Sequence, residues 1–315
     1  MSPFEHQTGI ITPREQKDLQ GGCTMIFCTG LSVPEGPVLL SDGSFLVVEM
    51  GSDRGCVTHI SPDGKEKRII ARTGRPNGLA VDRHGNIWVA ESGDLPALLR
   101  LTMDGQVEVF VTECDGEPFL FPNDLAIGPD GEIYMTDSGI LAKDFAPGGK
   151  VRPDWATCPM DGRIYRINPK TRQVIKIDSG MKFPNGIAFG PDGNLYVNEM
   201  IPAIVWRYEW KDGHVVSGRQ YFGNVADPDS PAPMKFPDGQ KFGANGHLYV
   251  TVFGQGDVTV LGPGGQVTER IKTEGKMPTN CVFGPPGSHK LYVTEDEFGT
   301  IEVFDVGTDG LPLYM

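Results

Sequence analysis

The chain has 315 residues, of which 39% are hydrophobic and 22% charged, a balance that belongs to a folded globular protein and excludes a disordered one. Its 42 glycines and 26 prolines speak against long helices and for many short strands joined by turns. A net charge of −13 would repel a phosphate backbone, so nucleic acid is not expected as a partner, whereas an acidic surface suits cations.

Residues 1–23 read as an N-terminal tail that mixes charged and polar residues and holds no apolar core of the usual ~7–15 residues for a secretory signal. No run reaches the ~18 apolar residues of a membrane span, so a soluble, cytoplasmic protein is expected. The six cysteines (23, 28, 56, 114, 158 and 281) form no C-x-x-C pair and read as reduced, structural thiols.

An apolar run at 24–29 comes next, and then the chain repeats itself. VPEGPVLLSDGSFLVVEMG from Val33 is a weak first copy. RPNGLAVDRHGNIWVAESG from Arg75, FPNDLAIGPDGEIYMTDSG from Phe121, FPNGIAFGPDGNLYVNEM from Phe183, FPDGQKFGANGHLYVTVFG from Phe236 and MPTNCVFGPPGSHKLYVTED from Met277 follow. Each copy opens on a polar residue just after a proline or one residue beyond it: Glu35, Asn77, Asn123, Asn185, Asp238 and Asn280, spaced by 42, 46, 62, 53 and 42 residues. Each then reads as a short apolar strand, a tight turn and a return strand. A repeat of roughly 40–50 residues is one four-stranded propeller blade. The expected fold is therefore all-β, a six-bladed β-propeller of four antiparallel strands per blade over residues 24–315. The run at 24–29 is expected to supply the outer strand of the last blade and close the ring. Ten Asp-Gly pairs occur, and nine stand where hairpin turns are wanted. The two long spacings mark insertions, and the one at 138–162 is expected to lie over a mouth of the ring as a lid.

The first strand of every propeller blade borders the central channel, so the six anchors should meet there as a ring of oxygen donors. Two carboxylates, Glu35 and Asp238, with several amides suit a hard divalent cation such as Ca²⁺. Without one, the two carboxylates would repel and one would take up a proton. Asn77 and Asn280 can equally serve the structure by bonding nearby backbone. A second series of acids, Glu49, Glu91, Asp137 and Glu199, follows the first four anchors at fourteen residues, with Val252 in the fifth copy and Glu295 at fifteen in the sixth. These are expected at the end opposite the anchors or between blades, in structural pairs. Asp137, which leads into the lid, is the one expected to touch substrate. Phe121, Phe183 and Phe236 each stand two residues before an anchor, either as core packing or as an apolar wall. None of the six histidines is placed for a triad or a zinc site, and no G-x-S-x-G occurs.

VPEGPV, FPNDLAIGPDGEIYMTD, FPNGIAFGPDGNLYV and FPDG, in that order, resemble the signature segments of the gluconolactonase/regucalcin (senescence marker protein) family of six-bladed propellers, which includes diisopropylfluorophosphatase. The resemblance spans about 24–306. It implies that Glu35, Asn123, Asn185 and Asp238 hold a catalytic divalent cation, most often Ca²⁺ with Mg²⁺, Mn²⁺ or Zn²⁺ as substitutes, and that no organic cofactor is needed. The implied reaction is hydrolytic opening of a lactone; for it, Asp238 is expected to act as base or nucleophile, Asn123 to orient the reacting oxygen, and Phe121, Asp137 and Asn77 to touch substrate. The small-molecule lactone or ester is the expected partner, without nucleic acid or membrane; oligomeric state leaves no trace in the sequence.

Departures from the family pattern bear on substrate and metal. Phe121 replaces an arginine that grips sugar-like lactones in some members. Lys241 and Val282 stand where phosphatase-like members carry an Asp and a His for a second, buried calcium, so a second cation is not expected; Asp296 stands where those members carry a further His. Alternative readings are a phosphotriesterase or arylesterase on the same cation, a non-catalytic calcium-binding propeller, and a strictosidine-synthase-like condensation, which would need a glutamate near the mouth of a later blade.

Overall fold

A computed structural model describes residues 25–315; the tail expected at 1–23 lies outside the described residues. Six four-stranded antiparallel sheets open on the first strands Pro34–Leu39, Pro76–Val81, Pro122–Ile127, Pro184–Phe189, Phe236–Phe242 and Pro278–Phe283. Each first strand contacts the first strand of the next sheet, and the sixth returns to the first. These contacts make a ring, and the chain is a six-bladed propeller. In the sixth blade, Lys290–Glu295 and Thr300–Asp305 follow the first strand, and Met25–Cys28 pairs antiparallel with Thr300–Asp305 as the outermost strand. Strands from both ends of the described chain thus share one sheet.

Burial falls from the axis to the rim. Every residue of the second strands Phe45–Glu49, Ile87–Glu91, Ile133–Asp137 and Leu195–Glu199 is buried, because neighbouring blades cover both faces. The outer strand Val107–Val111 instead leaves Val107 and Val109 exposed. Between blades 2 and 3, Trp88 and Phe110 pack with Met135 and Tyr165.

Seven of the Asp-Gly glycines (43, 64, 105, 116, 131, 193 and 213) take the positive φ of a turn. Two expected turns are absent. Gly162 opens the strand Gly162–Ile167, where a Cβ would stand 2.1 Å from the Pro184 ring. Gly310 forms a bridge to Gly243. Close packing explains the glycine at 162, not turn geometry. The five described cysteines are buried and unbonded. Among the described residues no helix is long and apolar enough to cross a membrane.

Candidate functional site

In every blade the pairing of the first two strands slips at the anchor: between Glu35 and Val38, Pro76 and Leu79, Pro122 and Leu125, Pro184 and Ile187, Pro237 and Gln240, and Pro278 and Asn280. Such a bulge frees a residue from the ladder and re-aims its side chain. Five anchors, Glu35, Asn77, Asn123, Asn185 and Asp238, line one cavity of about 990 Å³. The neighbouring strands come very close here. A Cβ at Gly186 would stand 2.2 Å from the Asp238 carbonyl oxygen, and one at Gly239 2.0 Å from Asn280 Cγ. Glycine after the anchor is therefore what lets the ring close tightly around the axis.

The hydrogen bonding separates these side chains by role. Asn280 is buried and donates Nδ2 to both Glu35 oxygens at 3.0 and 3.2 Å, so it holds Glu35 from behind. Asn123 donates Nδ2 to Ser138 Oγ at 3.0 Å, which leaves its Oδ1 buried without a partner. Asn185 Oδ1 is buried without a partner too. Asp238 is half-buried and opens on the cavity. Burial, then the charges of Asp238 and Asp124, pushes the Glu35 carboxyl well above its usual range. Burial and the charges of Asp124 and Asp296 do the same to Asp238, against the pull of the Asn185 amide. Two orphaned amide oxygens beside two mutually repelling carboxylates are a donor set that suits a hard divalent cation. Among the described residues no three His, Cys, Asp or Glu side chains group as a metal site, so a cation here needs the amides as well.

Two further acids stand here that were not expected in the site, Asp296 having figured only as a departure from a family histidine. Asp124 follows Asn123 where four of the other anchors are followed by glycine; it is buried, and its Oδ2 has no partner. Burial raises its pKa, against the Lys241 ammonium, which also pulls on Glu35. Lys241 thus supplies positive charge inside the channel. Asp296 lines the cavity, and burial, then the Glu295 charge, pushes its carboxyl up to about 6. None of the described histidines lines this cavity.

The second series of acids lies at the same end as the anchors, not the opposite one. Antiparallel pairing sets Pro34 against Glu49, Pro76 against Glu91, Pro122 against Asp137, Pro184 against Glu199 and Pro278 against Glu295. Each carboxylate clamps the loop that enters the first strand. Glu49 accepts from Ser32 N, Glu91 from Arg75 N, Glu199 from Lys182 N and Glu295 from Met277 N. Asp137 accepts the N–H groups of Leu120, Phe121 and Gly139 at 2.8–3.0 Å and does not line the cavity. The substrate contact expected of Asp137 is replaced by this clamp.

Clamping positions the wall. Phe121, Phe183 and Phe236 all line the cavity and pack beneath the insertion, rather than between blades. In that insertion the short helix Ala142–Phe145 sets Phe145 against Phe183, with ring centroids 4.4 Å apart, and Trp155 stands 4.8 Å from Phe236. Leu141, Lys143, Phe145 and Val151 of this segment line the cavity. Phe183 (φ 64) and Val33 (φ 53), each just before a proline, take a left-handed backbone that bulky residues avoid, and both side chains line the cavity. An arginine from the previous blade stands over Phe121. Arg75 lies 4.9 Å over the Phe121 ring and donates to Ser92 Oγ at 2.7 Å.

Comparison with known proteins agrees with this geometry. Residues 33–296 match the model of the SMP-30/Gluconolactonase/LRE-like region. The chain belongs to that family. Within it, the chain is 27% identical over 281 residues to a gluconolactonase of Zymomonas mobilis, covering 83% of this chain and 76% of that one. It is 28% identical over 302 residues to the diisopropyl-fluorophosphatase of Loligo vulgaris, covering 89% and 91%. Among solved structures, a calcium-binding protein, regucalcin, of Agrobacterium tumefaciens superposes with a TM-score of 0.70 at 18% identity over 92% of this chain and 98% of that one, which shows the shared fold.

Proposed function

We propose that this family member is a divalent-cation-dependent hydrolase that opens lactones or related esters at the anchor ring. The observation that carries the reading is the pair of unpartnered oxygens, Asn123 Oδ1 and Asn185 Oδ1, beside the Glu35 and Asp238 carboxylates on the cavity surface. Those four residues would hold the cation. When bound, it would polarise the substrate carbonyl and stabilise the oxyanion as a Lewis acid.

The chain's own residues do the rest. Asp238, open to the cavity, accepts a proton from water as the water oxygen bonds to the carbonyl carbon; the ring C–O bond breaks, and the proton passes to the departing alkoxide to give a hydroxy acid. Direct attack by Asp238 on the carbonyl carbon is the variant of this step. Asn123 orients the reacting oxygen, Asn280 steadies Glu35, and Arg75 and Asn77 present hydrogen-bonding groups to the substrate. The lid sheds water from the cavity. A cytoplasmic setting and a small-molecule partner fit this chemistry.

The likeness to a diisopropyl-fluorophosphatase favours a second reading, in which the same residues attack a phosphorus ester. Likeness in fold to a protein named as calcium-binding favours a non-catalytic third. Proton release from lactones, aryl esters and phosphotriesters, measured with chelator and after Ca²⁺, Mn²⁺ or Zn²⁺ is restored, separates the three. Turnover that vanishes with chelator, returns with metal and is lost in folded Asp238→Asn is the expected result. A folded protein that binds Ca²⁺ and hydrolyses nothing would overturn it.

A further inference from the structure

The cavity has two unlike walls. Blades 3 to 5 and the lid contribute Phe121, Phe183, Phe236, Phe253, Met200 and Phe145. Blade 2 contributes Arg75, Asn77, Ser92 and Asp94, with the Arg75 guanidinium reaching over the Phe121 ring. Arg75 has no carboxylate within 4.0 Å among the described residues and spends one N–H on Ser92, so its remaining donors are free for a substrate oxygen. The aromatic wall is fixed: Phe121 and Phe183 stand with centroids 5.4 Å apart, and Phe145 covers Phe183.

We propose that the substrate is a lactone bearing an apolar alkyl or aryl substituent, which lies against Phe121, Phe183 and Phe236 beneath Phe145, while the ester group faces the anchors and Arg75. This rests on the hydrolase reading above and narrows it. Apart from Arg75 over Phe121 and Lys143 of the lid, the aromatic wall offers no hydrogen-bond partner to a hydroxyl. A polyhydroxylated aldonolactone therefore leaves hydroxyls unpaired against it, each at a loss of about tenfold or more in binding. An alkyl chain gains about fourfold per methylene buried there. The 990 Å³ volume admits a lactone ring together with a chain of several carbons.

The test is kcat/KM on unsubstituted δ-valerolactone, on δ-lactones with propyl, pentyl and heptyl substituents, and on δ-gluconolactone, each with and without chelator. The proposal expects kcat/KM to climb about fourfold per methylene until the wall is covered, ending at least 30-fold above gluconolactone. Phe145→Ala should flatten that slope through KM, and Phe145→Leu should restore most of it. A flat slope, or a preference for gluconolactone, with turnover still chelator-sensitive overturns the substrate class and leaves the hydrolase reading standing. No chelator-sensitive turnover on any lactone overturns both. The chain-length series on the unmodified protein decides the matter even if Phe145→Ala fails to fold.

Discussion

Glu35 and Glu49 leave the same hairpin one residue pair apart, since Glu35 faces Val48 and Pro34 faces Glu49. Both are buried. Glu49 accepts from Ser32 N at 2.9 Å and Thr58 Oγ1 at 2.6 Å, with Arg54 at 3.6 Å. Among the described residues Glu35 accepts only from Asn280, and it faces the charges of Asp238 and Asp124. One carboxylate is neutralised by its own fold, and the other is left for something the fold does not contain. The same contrast separates Asp137, with three backbone donors, from Asp238, which opens on the cavity. The kind of residue and its place in the repeat do not distinguish a site from a scaffold here; the backbone N–H groups that meet the clamp acids and the like charges that meet Glu35 and Asp238 do.

The strongest way to break this comparison is to remove each partner in turn. Glu35→Ala should lower kcat/KM by about 10³-fold, as expected for the loss of a preorganised charge at a reacting centre, while the cation-free protein stays at least as stable. Glu49→Ala strands a buried N–H and a hydroxyl, and should cost about 3 kcal/mol in denaturant unfolding with kcat/KM changed only a few-fold. If Glu49→Ala abolishes turnover in a folded protein, or Glu35→Ala unfolds the cation-free one, the division between the two rings is wrong.

Much of this was legible before the structure. The recurrence of proline, anchor, apolar strand and Asp-Gly turn carried the fold, and the departures of Glu35 and Asp238 from asparagine marked the site. The clamp ring was misplaced because the end of a second strand was assigned away from the anchors, although an antiparallel return brings it back beside the start of the first. Asp124 was hidden because its signal is a missing glycine, and glycine after an anchor has meaning only once the neighbouring strand's approach is known. Arg75 was overlooked as a wall residue because the repeats were compared position by position. The cavity instead joins side chains from adjacent blades, so the group standing over 121 comes from 75.

A third kind of buried acid sharpens the contrast. Glu302 is fully buried and accepts from Glu274 N at 3.1 Å, as a clamp would, but it shares its blade with Glu295. Burial first, and then the charges of Glu295 and Glu274, pushes its carboxyl up to about 7. A carboxyl raised in the folded state favours folding while it is protonated. Its contribution is therefore complete below about 4.5 and is lost as pH rises through 7. The cation-free protein should melt at a higher temperature at pH 5 than at pH 8, and Glu302→Gln should remove part of that difference, at most about 3 kcal/mol. A pH dependence identical in Glu302→Gln would mean that Glu302 is a neutralised clamp like Glu49.

The smallest effect tests the joint between the two rings. Asn280 uses Oδ1 to accept its neighbour's N–H, from Cys281 at 2.8 Å, and uses Nδ2 to grip both oxygens of Glu35. The first bond belongs to the scaffold and the second to the site. Removing Nδ2 leaves Glu35 without its donor, so its carboxyl rises further and protons compete better with a cation. Asn280→Ala should weaken Ca²⁺ binding by about tenfold in calorimetry, the usual cost of deleting a group that orients a ligand, with kcat at saturating Ca²⁺ little changed. An unchanged Kd would assign Asn280 wholly to the scaffold and leave Glu35 to be positioned by its bulge alone.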